Sequence, residues 1–188
     1  MKTVGFTRME DGTAEDYQLL AEQSIEHAQG LVDRVLGLLI GLRGNPRGYQ
    51  VDRYVHSLQT ATRALRDGAD EETVVCALLH DVGDDFAPFN HAAFAAEILK
   101  PYVTPENHWM VEKHGIFQGY YFWHHYGMDR NARDRFRGHP CFEHTALFCE
   151  RWDQTAFDPA YDTLPLDAFE PMVRRVFDRP AWSLRGAD

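Results

Sequence analysis

Apolar residues recur along the chain at spacings of three and four, and strand-like alternation is nearly absent. That period predicts helices throughout. Thr13 with Asp16 reads as a capping box that opens a helix through Leu19, Leu20, Ile25 and Ala28. Gly30 interrupts it, and Leu31, Val35, Leu38, Leu39 and Leu42 continue an apolar face up to the loop Gly44-Asn45-Pro46-Arg47-Gly48. The next helix is expected from about Val51 to Arg66, with His56 beside its apolar face, and Gly68 ends it. Asp70 caps an apolar run, Val74 to Leu79, that stops on His80-Asp81, where Gly83 is read as letting the backbone turn away. Asn90 is the expected N-cap of a helix from His91 to about Leu99, stopped by Pro101. Pro105 occupies the first position of another helix, which passes through Trp109, Val111 and His114 towards Gly119. An aromatic stretch from Tyr120 to Tyr126 and a basic segment from Arg130 to Gly138 follow. A helix from about Phe142 to Trp152, a last one within Leu164 to Phe177, and fraying from Pro180 onward complete the pattern. The expectation is one all-α domain, a helical bundle of about eight to ten helices covering residues 1–188. Its core is residues 50–155, and the flanking helices lie within 13–42 and 164–177.

The 188 residues are 44% hydrophobic and 26% charged, enough to bury a sizeable core. A net charge of -10 argues against a nucleic-acid partner, whose footprint would be basic. The longest apolar stretch, Val35 to Leu42, is too short to span a bilayer, and Met1 to Gly12 lacks the pattern of a signal peptide. These features lead to the expectation of a cytoplasmic protein that works on a small molecule, away from membranes. Oligomeric state leaves no trace in the sequence. Cys76, Cys141 and Cys149 fit no CxxC spacing and read as reduced thiols.

Ten histidines are many for this length, and their placement carries the chemistry. His56, the pair His80-Asp81, His91, His114 and Asp153 each lie on a predicted helix or at its edge, within or beside apolar residues. Polar groups in such settings need partners, and a shared metal centre satisfies all six. Four imidazoles and two carboxylates suit iron, manganese, zinc or cobalt better than calcium or magnesium. Six ligands exceed what one ion uses while keeping a position open, so the count points to two ions, with Asp81 as the bridge and a catalytic role through it. His124 and His125 compete with His114 for the fourth imidazole, and the spacing from His91 favours His114. The run Arg130, Arg133, Arg135 and Arg137 reads as a solvated helix face.

The order His, His-Asp, Asp resembles that of the HD-domain superfamily. The two additional histidines are similar to those of its mixed-valent diiron oxygenases, and most of all the organophosphonate-cleaving enzymes among them. Tyr54-Val55-His56-Ser57-Leu58-Gln59, Cys76 to Asp84, and Arg151-Trp152-Asp153 carry the likeness, which spans roughly residues 50 to 155. It implies an HD-domain fold, a Fe2+/Fe3+ pair, and O2 as co-substrate. Departures fall at substrate-holding positions. Asp84 replaces a histidine, Gln118 replaces a lysine, and Tyr49 is the stand-in for a gating tyrosine that has no accompanying glutamate here.

Tyr49, Asp84 and Gln118 are therefore the candidate substrate contacts. The leading expectation is oxidative cleavage of a small hydroxylated organophosphonate or a related hydroxylated ammonium compound. Asp84 and an aromatic wall at Tyr120 to Tyr126 would suit a cationic group. The rival is a metal-dependent phosphohydrolase. Cationic groups near the phosphate are wanted there, and Asp84 with Gln118 argues against it. A metal-stabilised binding domain without catalysis is the third class.

Overall fold

The computed structural model describes residues 2–181, so most of the segment expected to fray, 182–188, lies outside the described residues. Among the described residues there are eight α-helices and no strand, an all-α architecture. They are α1 (Ala14–Gln29), α2 (Leu31–Gly41), α3 (Arg53–Arg66), α4 (Glu71–Leu79), α5 (His91–Leu99), α6 (Pro105–Phe122), α7 (Phe142–Phe148) and α8 (Glu170–Phe177). The caps follow the sequence closely. Thr13 and Asp16 form the capping box of α1, and the side chains of Asp52, Asp70 and Thr104 accept from backbone N–H groups at the starts of α3, α4 and α6. Asn90 occupies the N-cap position of α5, but its side chain makes no capping bond.

Helix α4 is the centre of the bundle. Val74 through Leu79 are all fully buried, so the helix has no solvent face. Helices α3, α6 and α8 pack against it, while α5 pairs with α6 and α7 lies on α6. Leu39, Leu78, Leu79, Leu99, Met110, Phe117, Phe148 and Phe169 fill the interior between them. Cys76 and Cys149 are buried free thiols and Cys141 is a partly exposed one. No helix among the described residues is long and apolar enough to cross a membrane.

Two departures from the periodicity shape the site. The helix expected through Trp152 ends at Phe148 and continues as a π-turn, Cys149–Asp153, closed by Gln154 N–H on the Cys149 carbonyl at 3.1 Å. The wider turn brings Trp152 and Asp153 inward together, both buried. In the basic segment, only a short 3₁₀ turn forms, Ala132–Phe136. Arg130 and Arg133 lie over the Tyr120 ring at 4.3 and 3.7 Å, Arg135 over Phe136 at 4.7 Å and Arg137 over Phe142 at 5.6 Å, so all four guanidinium groups of the expected solvated face lie over aromatic rings.

Glu72, 8% exposed, ties the bundle together at the start of α4. Its carboxylate accepts from Thr104 N–H at 2.6 Å and Asn107 Nδ2 at 2.9 Å, and pairs with Arg179. Burial works to raise this carboxyl, and the bonds from Thr104, Asn107 and Arg179 more than offset it, leaving it below its usual value of 4.5. Glu72→Ala is expected to lower unfolding free energy by about 2–4 kcal/mol in urea titrations, because buried donors lose their acceptor. With a depressed folded value, the charge contributes stability above pH 4.5 and loses it as pH falls. The advantage of the wild type over Glu72→Gln should shrink in that direction.

Candidate metal centre

The chain ends α4 on a fully buried histidine and aspartate. Asp81 turns one carboxylate oxygen to each of two imidazole pairs. Oδ2 stands 3.5 Å from His56 Nε2 and 3.5 Å from His80 Nε2, which are themselves 3.1 Å apart. Asp153 Oδ1 closes this first group at 3.3 Å from His56 Nε2 and 3.8 Å from His80 Nε2. Oδ1 of Asp81 stands 3.3 Å from His91 Nε2 and 3.4 Å from His114 Nε2, and those nitrogens are 3.3 Å apart. All six expected residues converge, from α3, the end of α4, α5, α6 and the π-turn. His124 and His125 are exposed, their rings 3.9 Å from each other, outside this group.

The imidazoles are oriented from behind. Carbonyl oxygens only accept, so Nδ1–H of His56 donates to Ala156 at 3.0 Å, that of His80 to Ala77 at 2.8 Å, and that of His114 to Val111 at 2.7 Å. In the neutral rings the Nε2 lone pairs are then directed at one another and at two carboxylates. Such a convergence of lone pairs is repulsive without positive charge between them. Metal–ligand bonds of about 2.1 Å at right angles put neighbouring donors about 3.0 Å apart, close to the spacings observed. Asp153 Oδ2 is buried without a hydrogen-bond partner among the described residues, as is Gln118 Oε1, while Gln118 Nε2 donates to Asp153 Oδ1 at 3.0 Å. The donor set and the orphaned carboxylate oxygen both fit divalent cations.

The protonation tendencies of His80, Asp81 and Asp153 agree with this, and that of His114 runs the other way. Burial pushes His80 down to about 4, against the pull of Asp81 and Asp153, so it is neutral near pH 7 as a metal ligand must be. Burial would raise Asp81, but His80, the His114 hydrogen bond and Arg53 hold it well below the carboxylate range. Asp153 is lowered against the same burial by His56 and His80. Burial disfavours the His114 cation, and Asp81 outweighs it and raises that group.

The expected substrate contacts are placed differently from one another. Gln118 is bound to Asp153. Tyr49 stacks on Phe157 at 4.8 Å, and Phe157 stacks on His56 at 4.3 Å, so the Phe157 ring lies between Tyr49 and the centre. Asp84 Oδ2 takes Arg47 Nη1 at 3.0 Å and Arg53 Nε at 3.4 Å, so its charge is already met by two guanidinium groups. The expectation that cations are missing here is corrected by Arg53, whose Nη1 lies 3.4 Å from Asp81 Oδ2. Its signal was legible: it precedes His56 by three positions and so shares its helix face. Arg47 and Phe157 sit in loops, where periodicity assigns no face. The aromatic segment after Gly119 makes its ring contacts with itself and with Arg130 and Arg133, so no wall against the centre is formed by those contacts.

The backbone turns at Gly83 as expected, without a positive φ, and the glycine has a further reason. A Cβ there would meet Phe94 Cβ at 2.8 Å and the His91 carbonyl at 2.9 Å. Its bare Cα lets α5 approach closely enough to deliver His91.

Residues 53–152, more than half of the chain, match the family model described as HD domain. No curated protein matches the chain.

Adding a divalent metal to chelator-treated protein is expected to raise unfolding free energy by about 2.7 kcal/mol at a hundredfold excess over Kd, read as a Tm shift. Asp81→Ala should abolish that shift, since both halves of the site lose a ligand. Gly83→Ala should displace α5 and weaken metal retention at the His91–His114 side while leaving the helical circular dichroism spectrum intact. Unchanged metal content in Gly83→Ala by mass spectrometry would refute the close-approach account.

Proposed function

The chain belongs to the HD-domain family, and from that premise we propose that it is a metal-dependent enzyme holding two iron ions, an oxygenase that cleaves a small hydroxylated organophosphonate or related compound. The supporting observation is the division of Asp81, one oxygen facing His56, His80 and Asp153 and the other facing His91 and His114. A carboxylate flanked on both sides by imidazoles suits a bridged pair of ions better than a single one. Two bound irons, as Fe2+/Fe3+, would supply redox chemistry with O2 as co-substrate.

The protein's part is positioning and shielding. Backbone carbonyls behind His56, His80 and His114 fix which nitrogen faces inward. Gln118 holds Asp153 in register through Oδ1. Phe148 packs against the His80 and His114 rings at 5.5 and 6.3 Å, and Phe157 covers His56. These rings keep water from the inner wall. His91, with a quarter of its side chain exposed, is the imidazole that a substrate can approach.

A phosphohydrolase is the second reading, favoured by Arg53 beside Asp81, a cation suited to a phosphoester. There the ions would lower the pKa of a bound water.

Anaerobic purification from iron-supplied cells, metal counting and EPR after partial oxidation distinguish the two. The oxygenase reading predicts two irons per chain and a coupled mixed-valent signal that changes on addition of a hydroxylated phosphonate. A single manganese or cobalt ion with oxygen-independent phosphoester hydrolysis would overturn it. His91→Ala is expected to reduce the metal content from two to one and abolish the coupled signal.

A further inference from the structure

The side chains around the centre are unequally accessible. His56, His80, Asp81, His114 and Asp153 are at most 5% exposed, whereas Arg53 and His91 are 24% and 25% exposed. Solvent therefore reaches the centre at the edge where Arg53 on α3 and His91 on α5 stand. Beyond them lie Arg47 and Tyr49, more exposed still. Anything entering by this edge passes the guanidinium groups of Arg47 and Arg53.

Arg53 has capacity to spare. Its contacts with Asp81 Oδ2 and Asp84 Oδ2 are both 3.4 Å, longer than a charge-assisted hydrogen bond, and a guanidinium carries five N–H donors. Arg47 holds Asp84 more closely, at 3.0 Å, and also pairs with Asp85, which leaves Asp84 less dependent on Arg53. The rings of Tyr49 and Phe157 lie 4.9 and 5.7 Å from the Arg53 guanidinium carbon and restrict its movement. Charge counting runs the same way. Asp81, Asp84, Asp85 and Asp153 face Arg47 and Arg53, a surplus of two negative charges. The Fe2+/Fe3+ pair would reverse that surplus to about three positive charges, so the loaded site attracts a doubly charged anion.

We propose that Arg53 is a substrate-binding residue that receives the oxyanion end of the substrate at the open edge of the centre, a role that rests on the two-ion reading above. The group it takes is a small oxyanion with two negative charges and not an ammonium. Selection comes from the planar fork of Arg53, which can grip two oxygens at once.

The test uses the metal-loaded full chain and inorganic phosphate as the probe, followed by calorimetry and by Tm, with metals counted in every sample. Wild-type protein is expected to bind phosphate and to show no response to tetramethylammonium. Arg53→Met should keep both ions and bind phosphate about tenfold or more weakly, the scale of a lost charge-assisted pair. If Arg53→Met does not keep two ions, Arg53→Lys takes its place. It retains charge beside Asp81 but loses the fork, and is expected to bind phosphate several-fold more weakly. Unchanged phosphate affinity in whichever variant holds both ions overturns the assignment, as does absence of phosphate binding to wild-type protein holding two ions. Fewer than two ions in the wild type marks failure of the two-ion reading instead, and the two failures are separable by the metal count.

Discussion

A carboxylate buried among imidazoles is the constraint to which the rest of this molecule answers. Asp81 is 3% exposed and remains in its charged form despite burial, which alone would raise its pKa. An isolated charge in such a place would be prohibitive. The surrounding side chains meet it with His56 and His80 on one oxygen, His91 and His114 on the other, and Arg53 alongside. Three other helices, α3, α5 and α6, have to arrive within a few ångströms of that one group at the end of α4, and much of the local architecture can be read as the means of bringing them there.

The means are mostly backbone devices. The Val74–Leu79 stretch of α4 is apolar on every side, so its end is delivered to the middle of the bundle. Helix α5 needs Gly83 to come close. The π-turn at Cys149–Asp153 rotates Asp153 inward while Trp152 donates to Asp67 at 2.9 Å on the other side. Carbonyls three residues before His80 and His114 accept from their Nδ1–H groups, so each ring is oriented by its own turn of helix. These clamps come from local chain geometry.

The site is also polarised. Its inner wall is closed by Phe148 and Phe157, and its outer edge carries the ion-paired set Arg47, Asp84, Asp85 and Arg53. That edge carries the more accessible charged side chains, Arg47, Arg53 and Asp85, whereas the six clustered residues other than His91 are buried.

Helical spacing and caps were enough to locate nearly every α-helix, since an amphipathic stripe and an Asp, Thr or Pro at the N-terminus act through neighbours three or four positions away. The six clustered residues were legible for a similar reason: each is a polar group set in an apolar run, and such groups need company. What sequence alone could not decide was set by contacts between distant segments. Asp84 looked like a free anion until Arg47, thirty-seven positions earlier, was found against it. Tyr49 is set behind Phe157, whose ring stacks on both it and His56. Arg130 and Arg133 looked solvated until Tyr120 was found under them. Periodicity assigns a face to a residue on a helix, but a loop residue's partner is chosen by how the helices pack, and only the tertiary structure holds that choice.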